Sequence, residues 1–233
     1  MKKIGLIGGM SWESTELYYR NINTEIKKLC GGHHSAELAL ESVNFEVIKN
    51  YQHEGNWEAA AKILVKCAQN LEKVNADFIL ICTNTMHKVA DVVADSVAIP
   101  VVHLADATAQ KILESGYSHV GFLGTKFSME DDFYTGRLTE NYGLHVHTPR
   151  EADRNIVHRV IYEELCLGEV LDSSRAEYLR IMKDLQDAGA QCIIEGCTEI
   201  VLLVDQTHTD IPLFDTTMIH AQVAAKMAVA KTS

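Results

Sequence analysis

Ile4-Gly5-Leu6-Ile7-Gly8-Gly9, near the start of the chain, and Val120-Gly121-Phe122-Leu123-Gly124-Thr125, near its middle, are two versions of one pattern offset by 116 positions. Each is a short apolar run ending in glycine, which reads as a buried strand followed by a tight turn. Asp77-Phe78-Ile79-Leu80-Ile81-Cys82-Thr83-Asn84 pairs in the same way with Gln191-Cys192-Ile193-Ile194-Glu195-Gly196-Cys197-Thr198, offset by 114. Ile99-Pro100-Val101-Val102 pairs with Ile211-Pro212-Leu213-Phe214, offset by 112. Three blocks in one order at nearly one spacing point to an internal duplication. The unit is far too long for a solenoid and occurs only twice.

Between the blocks the period changes from strand to helix. Residues 11–30 carry Tyr18, Ile22, Ile26 and Leu29 at helical spacing and are stopped by Gly31-Gly32. Residues 57–73 carry Ile63, Leu64, Cys67 and Leu71 on one face, and residues 154–165, 173–186 and 217–230 also read as helices. Strands alternating with helices predict an α/β protein with parallel sheets flanked by helices. The expected layout is two pseudo-symmetric lobes, residues 1–103 with the closing helix 217–233, and residues 104–216. Ligands of such sheets sit beyond the carboxyl ends of the strands, so the site is expected in a cleft between the lobes.

Composition narrows the function classes. The 233 residues carry 21 Lys+Arg against 32 Asp+Glu, a net charge of −11, with 47% hydrophobic residues. This is a globular composition, not a disordered one. An acidic chain makes a poor partner for nucleic acid, although the local field of a site can differ in sign from the whole. No apolar run approaches the ~20 residues of a membrane span, and no export-signal pattern is visible. The expectation is a cytoplasmic protein without membrane or nucleic-acid partners. Its six cysteines lack CxxC spacing, which argues against disulfides and zinc knuckles.

The strand ends carry the chemistry. Cys197 follows a strand and precedes a helix, a setting expected to lower a thiol pKa from ~8.5 and favour the thiolate. Cys82 lies one residue earlier than the position matched to Cys197, inside the apolar run, and reads as core. Around the turns stand Asn84, Thr85 and Thr198, with backbone N–H groups suited to carboxylates. Gly8-Gly9-Met10 and Gly124-Thr125 permit close backbone approach or simply make tight turns. No GxGxxG or Walker sequence is present. His33-His34 reads as a polar turn, His87 and His220 either as supports for a carboxylate clamp or as hydrogen-bonded helix residues, and Trp12 and Trp57 as packing anchors. The residues alone therefore suggest a candidate thiolate and polar clamps for a small acid.

Gly8-Gly9-Met10-Ser11-Trp12, Cys82-Thr83-Asn84-Thr85-Met86-His87, Gly124-Thr125-Lys126-Phe127 and Gly196-Cys197-Thr198-Glu199-Ile200 resemble the aspartate/glutamate racemases, and the resemblance runs along essentially the whole chain. It implies an amino-acid racemase that uses neither pyridoxal phosphate nor a metal. In that family two cysteines face each other across the substrate Cα. One thiolate removes the α-proton, and the opposite thiol returns a proton on the other face. The second-lobe cysteine, which works on the L face, corresponds to Cys197.

The partner cysteine should stand at position 83, and this chain has threonine there. A threonine hydroxyl is a far weaker acid than a thiol. Cys82 is a poor substitute, because a shift of one residue on a strand points to the opposite face. The resemblance therefore implies fast proton exchange at Cys197 with L-aspartate or L-glutamate and slow inversion through Thr83. It carries substrate contacts onto Met10, Gln52, Asn84, Thr85, Thr125, Thr198 and Glu199, with Gln52 reading the side-chain carboxylate. Glu199 would receive the α-ammonium or cap a helix. A homodimer is also implied. Two alternatives stay open: a single-cysteine decarboxylase or isomerase of the same superfamily, and a binder of acidic amino acids without turnover.

Overall fold

Both glycine-ended runs become central strands of parallel sheets. The computed structural model describes residues 1–230, which divide into two units: Met1–Leu104 with the chain from His220 onward, and Ala105–Ile219. In the first unit, β1 (Ile4–Gly8), α1 (Trp12–Cys30), β2 (Leu38–Ser42), α2 (Phe45–His53), α3 (Trp57–Lys73), β3 (Phe78–Ile81), α4 (Ala90–Ala94) and β4 (Val101–Val102) follow one another. A 3-10 turn, Thr85–Val89, separates β3 from α4. Next come α5 (Leu104–Glu114), β5 (His119–Gly124), α6 (Lys126–Glu130), α7 (Asp132–Tyr142), β6 (His145–His147) and α8 (Glu151–Glu163). The chain continues through α9 (Asp172–Asp187), β7 (Cys192–Gly196), α10 (Ile200–Leu203), β8 (Leu213–Asp215) and α11 (Thr216–Val229).

The two sheets have the same topology, β2-β1-β3-β4 and β6-β5-β7-β8, with all strands parallel. Their registers reproduce the sequence offsets. Ile4 pairs with Phe78 as Val120 pairs with Cys192, and Ile79 pairs with Val101 as Ile193 pairs with Leu213. Matching strand for strand therefore aligns Thr83 with Cys197.

Burial on both faces explains why the strands are apolar throughout. In the first unit Ile7, Ile79 and Ile81 face one core cluster with Leu64, Cys67 and Leu71 of α3. Ile4, Leu6, Phe78, Leu80 and Cys82 face the other, against Tyr18, Ile22 and Ile26 of α1 and the alanines Ala221, Ala224, Ala225 and Ala228 of α11. Each fully buried Ile or Leu contributes about 1.5–3 kcal/mol.

Two packing expectations are corrected. Leu29 is 48% exposed. It lies about three turns from Tyr18, so its angle is right, but the stripe ends at Ile26 and Leu29 has outrun its neighbours. Trp57 packs on the core, whereas Trp12 is 66% exposed and anchors nothing within its unit. The sequence reading also passed over α2, α7 and β6, elements of nine, eleven and three residues.

Candidate active site

In the first unit Met10 follows β1, Thr83, Asn84 and Thr85 follow β3, and Gln52 follows β2; β1 lies between the other two strands. The α1 N-terminus is built by Ser11, whose hydroxyl accepts from the Ser14 N–H, and by Thr15, whose hydroxyl accepts from Gly9 N–H at 2.8 Å and donates to Ser11 O at 2.9 Å. Gly9 has φ +84°, and a Cβ there would meet Val43 O at 2.3 Å. The close approach that requires this glycine is to the chain's own backbone. Met10 is buried in the core cluster with Met86. Gln52 is buried on α2, its Nε2 3.1 Å from the Met86 sulfur.

Thr83 is held from behind through its backbone. His87 Nε2 accepts from the Leu104 N–H at 3.2 Å, so its Nδ1–H donates to Thr83 O at 2.8 Å. Ser14 donates to the preceding carbonyl, Cys82 O, at 2.9 Å. His220, also buried, donates Nε2–H to Val102 O at 3.0 Å and accepts from the Tyr18 hydroxyl at 2.9 Å. Burial, then the neighbouring His87, push the His220 pKa down to about 3, so it is neutral. Both histidines are thus structural hydrogen-bonding groups. Asn84 and Thr85 are buried beside Thr83. The half-buried Thr83 hydroxyl itself bonds to no protein group among the described residues. Cys82 is fully buried, and burial raises its pKa far above the ordinary thiol value.

In the second unit Thr125 and Cys197 each follow one member of a register pair, Gly124 and Gly196. The buried Thr125 hydroxyl caps α6, meeting the Ser128 hydroxyl at 2.8 Å. Cys197 donates its S–H to Glu199 Oε2 at 2.9 Å, and the Thr198 hydroxyl donates to the same oxygen at 2.8 Å. The expectation of a depressed thiol pKa is therefore corrected. Burial first, then the Glu199 charge, then Cys166, raise the Cys197 pKa well above its ordinary value. The helix that follows, α10, has only four residues, so it offers little dipole to oppose them. Glu199 is a buried partner of the thiol within its own unit.

One titratable residue escaped the sequence reading. Glu195, in register with Asp215 on β8, is buried, and its Oε1 has no hydrogen-bond partner among the described residues. Burial, then Asp215 and Asp205, push its pKa up to about 8. The available signal was a lone acid in the apolar run Cys192-Ile193-Ile194-Glu195-Gly196, where the first repeat has Ile81. No helix of the described residues is long and apolar enough to cross a membrane.

A sequence profile of the Asp/Glu/Hydantoin racemase family matches residues 7–224. A candidate Asp/Glu racemase from Yersinia pestis is 50% identical with a TM-score of 0.93, over 99% of this chain and 100% of that one. An aspartate racemase homologue from Pyrococcus horikoshii is 36% identical with a TM-score of 0.85, over the same shares. The broad specificity amino-acid racemase RacX of Bacillus subtilis is 21% identical over 217 residues, 91% of this chain and 92% of that protein. Glutamate racemase of Treponema pallidum is 25% identical over 149 residues, 62% of this chain but only 54% of that relative's length.

Proposed function

This chain belongs to the Asp/Glu/Hydantoin racemase family, and from that premise we propose that it racemises acidic amino acids, with L-aspartate and L-glutamate as substrates. The observation that carries the reading is an asymmetry between matched strand ends. Cys197 has a thiol bonded to a carboxylate, while Thr83 has a hydroxyl bonded to no protein group among the described residues.

The chemistry follows from that asymmetry. The resting Cys197 holds its proton, and Glu199 accepts it to release the thiolate. The thiolate takes the α-proton from the L face, leaving an enediolate-like carbanion. Asn84, Thr85, Thr125 and Thr198 supply polar groups for the substrate carboxylates, which stabilise charge where it develops; Met10 and Gln52 complete the contacts. Return of a proton from the Cys197 sulfur to the carbanion, after the thiol has exchanged with solvent, is exchange without inversion. Inversion needs a proton on the other face, from the Thr83 hydroxyl or a water it holds, and the alkoxide or hydroxide left behind is neutralised by solvent. Two enantiomers have equal free energy, so kcat/KM is equal in both directions, and a preference for L is a preference in exchange. Action in the cytoplasm as a homodimer belongs to the same reading and rests on the family resemblance and the sequence.

The test is proton NMR of the α-signals of L- and D-aspartate and L- and D-glutamate in D2O, with Cys197→Ala as control. Loss of the L signal ahead of any change in optical rotation, abolished by Cys197→Ala, is the expected result. Equally rapid exchange of the D-enantiomers would remove the asymmetric mechanism. The lone thiol also suits a decarboxylase, so carbon dioxide release from a malonate derivative without amino-acid exchange would put that activity first. Binding of L-glutamate with neither reaction would leave a binder.

A further inference from the structure

At the amino-terminal end of the second sheet, away from the strand ends that carry Thr125 and Cys197, three imidazoles share one face. His119 on β5 is in register with His145 on the edge strand β6, and His147 lies two residues further on. The rings of His119 and His145 stack, with centroids 4.5 Å apart, and those of His119 and His147 are 5.7 Å apart. His119 Nδ1 and His147 Nε2 are 3.4 Å apart. Beyond that contact, none of the three side chains has a hydrogen bond or a carboxylate partner among the described residues. All three reach solvent: His145 is exposed and the other two are half-buried.

The fold does not require these histidines. The registers match β2 to β6 as they match β1 to β5, so the same places in the first sheet are Lys3, Glu37 and Ala39. That sheet forms with the same topology.

We propose that His119 and His147 chelate a first-row transition-metal ion, with His145 as the adjacent third imidazole. Two nitrogens at about 2.0–2.1 Å from a tetrahedral ion stand about 3.4 Å apart, which is the spacing present. No set of three or more His, Cys, Asp or Glu among the described residues is arranged as a ready cage, so the site is a two-point chelate with water in the remaining positions. The exposed His145 ring stacks on His119 and stands beside the pair. An all-imidazole donor set takes Cu2+, Ni2+ or Zn2+ and leaves Mg2+ and Ca2+, which require oxygen. On binding, the proton between the two rings moves to the nitrogen of its own ring that faces away from the ion, so both ligands are neutral imidazoles.

The experiment is equilibrium dialysis of the full chain against Ni2+, with and without excess Mg2+, comparing wild type with His119→Gln and His147→Gln. NMR of the imidazole C–H signals accompanies it. The expected result is one Ni2+ per chain that Mg2+ does not displace, with selective paramagnetic broadening at His119, His145 and His147. Each variant weakens it at least about tenfold, since losing even an outer-shell partner costs 10–100-fold. His147→Gln, on an edge strand, keeps the test available if His119→Gln fails to fold. The same Ni2+ stoichiometry and affinity in both variants would assign binding to other groups, such as His33-His34, and overturn the proposal. So would the absence of saturable binding.

Discussion

Cys197 and Glu199 form a thiol–carboxylate pair, with the sulfur 2.9 Å from Oε2 and the proton on the sulfur. A nearby carboxylate disfavours the thiolate, yet it also offers a place for the proton. These two effects separate in Glu199→Gln. Without the negative charge the thiol pKa falls, so alkylation of Cys197 by iodoacetamide reaches half its maximal rate at a lower pH than in wild type. The α-proton exchange rate falls in the same variant, because the acceptor is gone, by about 10²–10⁴, the usual worth of a positioned acid–base group. A variant that alkylates faster and also exchanges faster would show that the charge only hinders the thiol.

Thr83→Cys tests the other face. The matched registers place residue 83 where the second repeat has Cys197. A thiol there ionises far more readily than a hydroxyl, so exchange of the D-enantiomers rises and inversion catches up with exchange at L. Optical rotation followed beside deuterium incorporation measures both. Thr83→Ala lowers inversion and leaves L exchange within a few-fold; an equal loss in both would mean that Thr83 serves the Cys197 step.

Much of this arrangement was legible in the sequence, for one physical reason. A parallel strand buried on both faces must be apolar for its whole length and must end in a turn, so the blocks at Ile4, Asp77 and Ile99 and their repeats stand out. Their offsets are those of the strand registers. What was not legible depends on side chains meeting across the fold. Glu199 looked like a helix cap because sequence shows its position in the first turn, not its contact with Cys197. The sign of the Cys197 shift followed from that omission. Trp12 looked like an anchor because its bulk is visible in sequence and its neighbours are not. The contact of Gln52 with the Met86 sulfur was hidden as well, because it joins α2 to the turn after β3.

His87 ties the Thr83 peptide to the start of α5, accepting from Leu104 N–H and donating to Thr83 O. His87→Ala leaves a buried donor and an acceptor without partners. The expected cost is about 1–3 kcal/mol for each group left unsatisfied, read as a lower urea midpoint at unchanged slope. Gln can donate and accept, so His87→Gln recovers part of the loss. Equal destabilisation by both substitutions would point to ring packing against His103 rather than to hydrogen bonds.

Glu195 makes stability depend on pH in a defined direction. Its pKa is about 8 in the folded chain against an ordinary 4.5, so folding favours the protonated acid. That contribution is fully present below pH 4.5 and is lost as pH rises through 8, because the unfolded chain ionises freely while the buried group faces Asp215 without a cation. The Asp215 carboxyl, raised by burial but holding the Thr217 and Met218 N–H groups, adds to the same slope. Ile81 fills the matched place in the first sheet, so Glu195→Ile is the substitution the fold already accommodates. Relative to wild type it gains about 2–4 kcal/mol between pH 5 and pH 8, within the range of buried-carboxyl shifts. Urea unfolding at the two pH values measures it. A gain of the same size at both would mean that Glu195 is costly for its unpartnered Oε1 rather than for its charge.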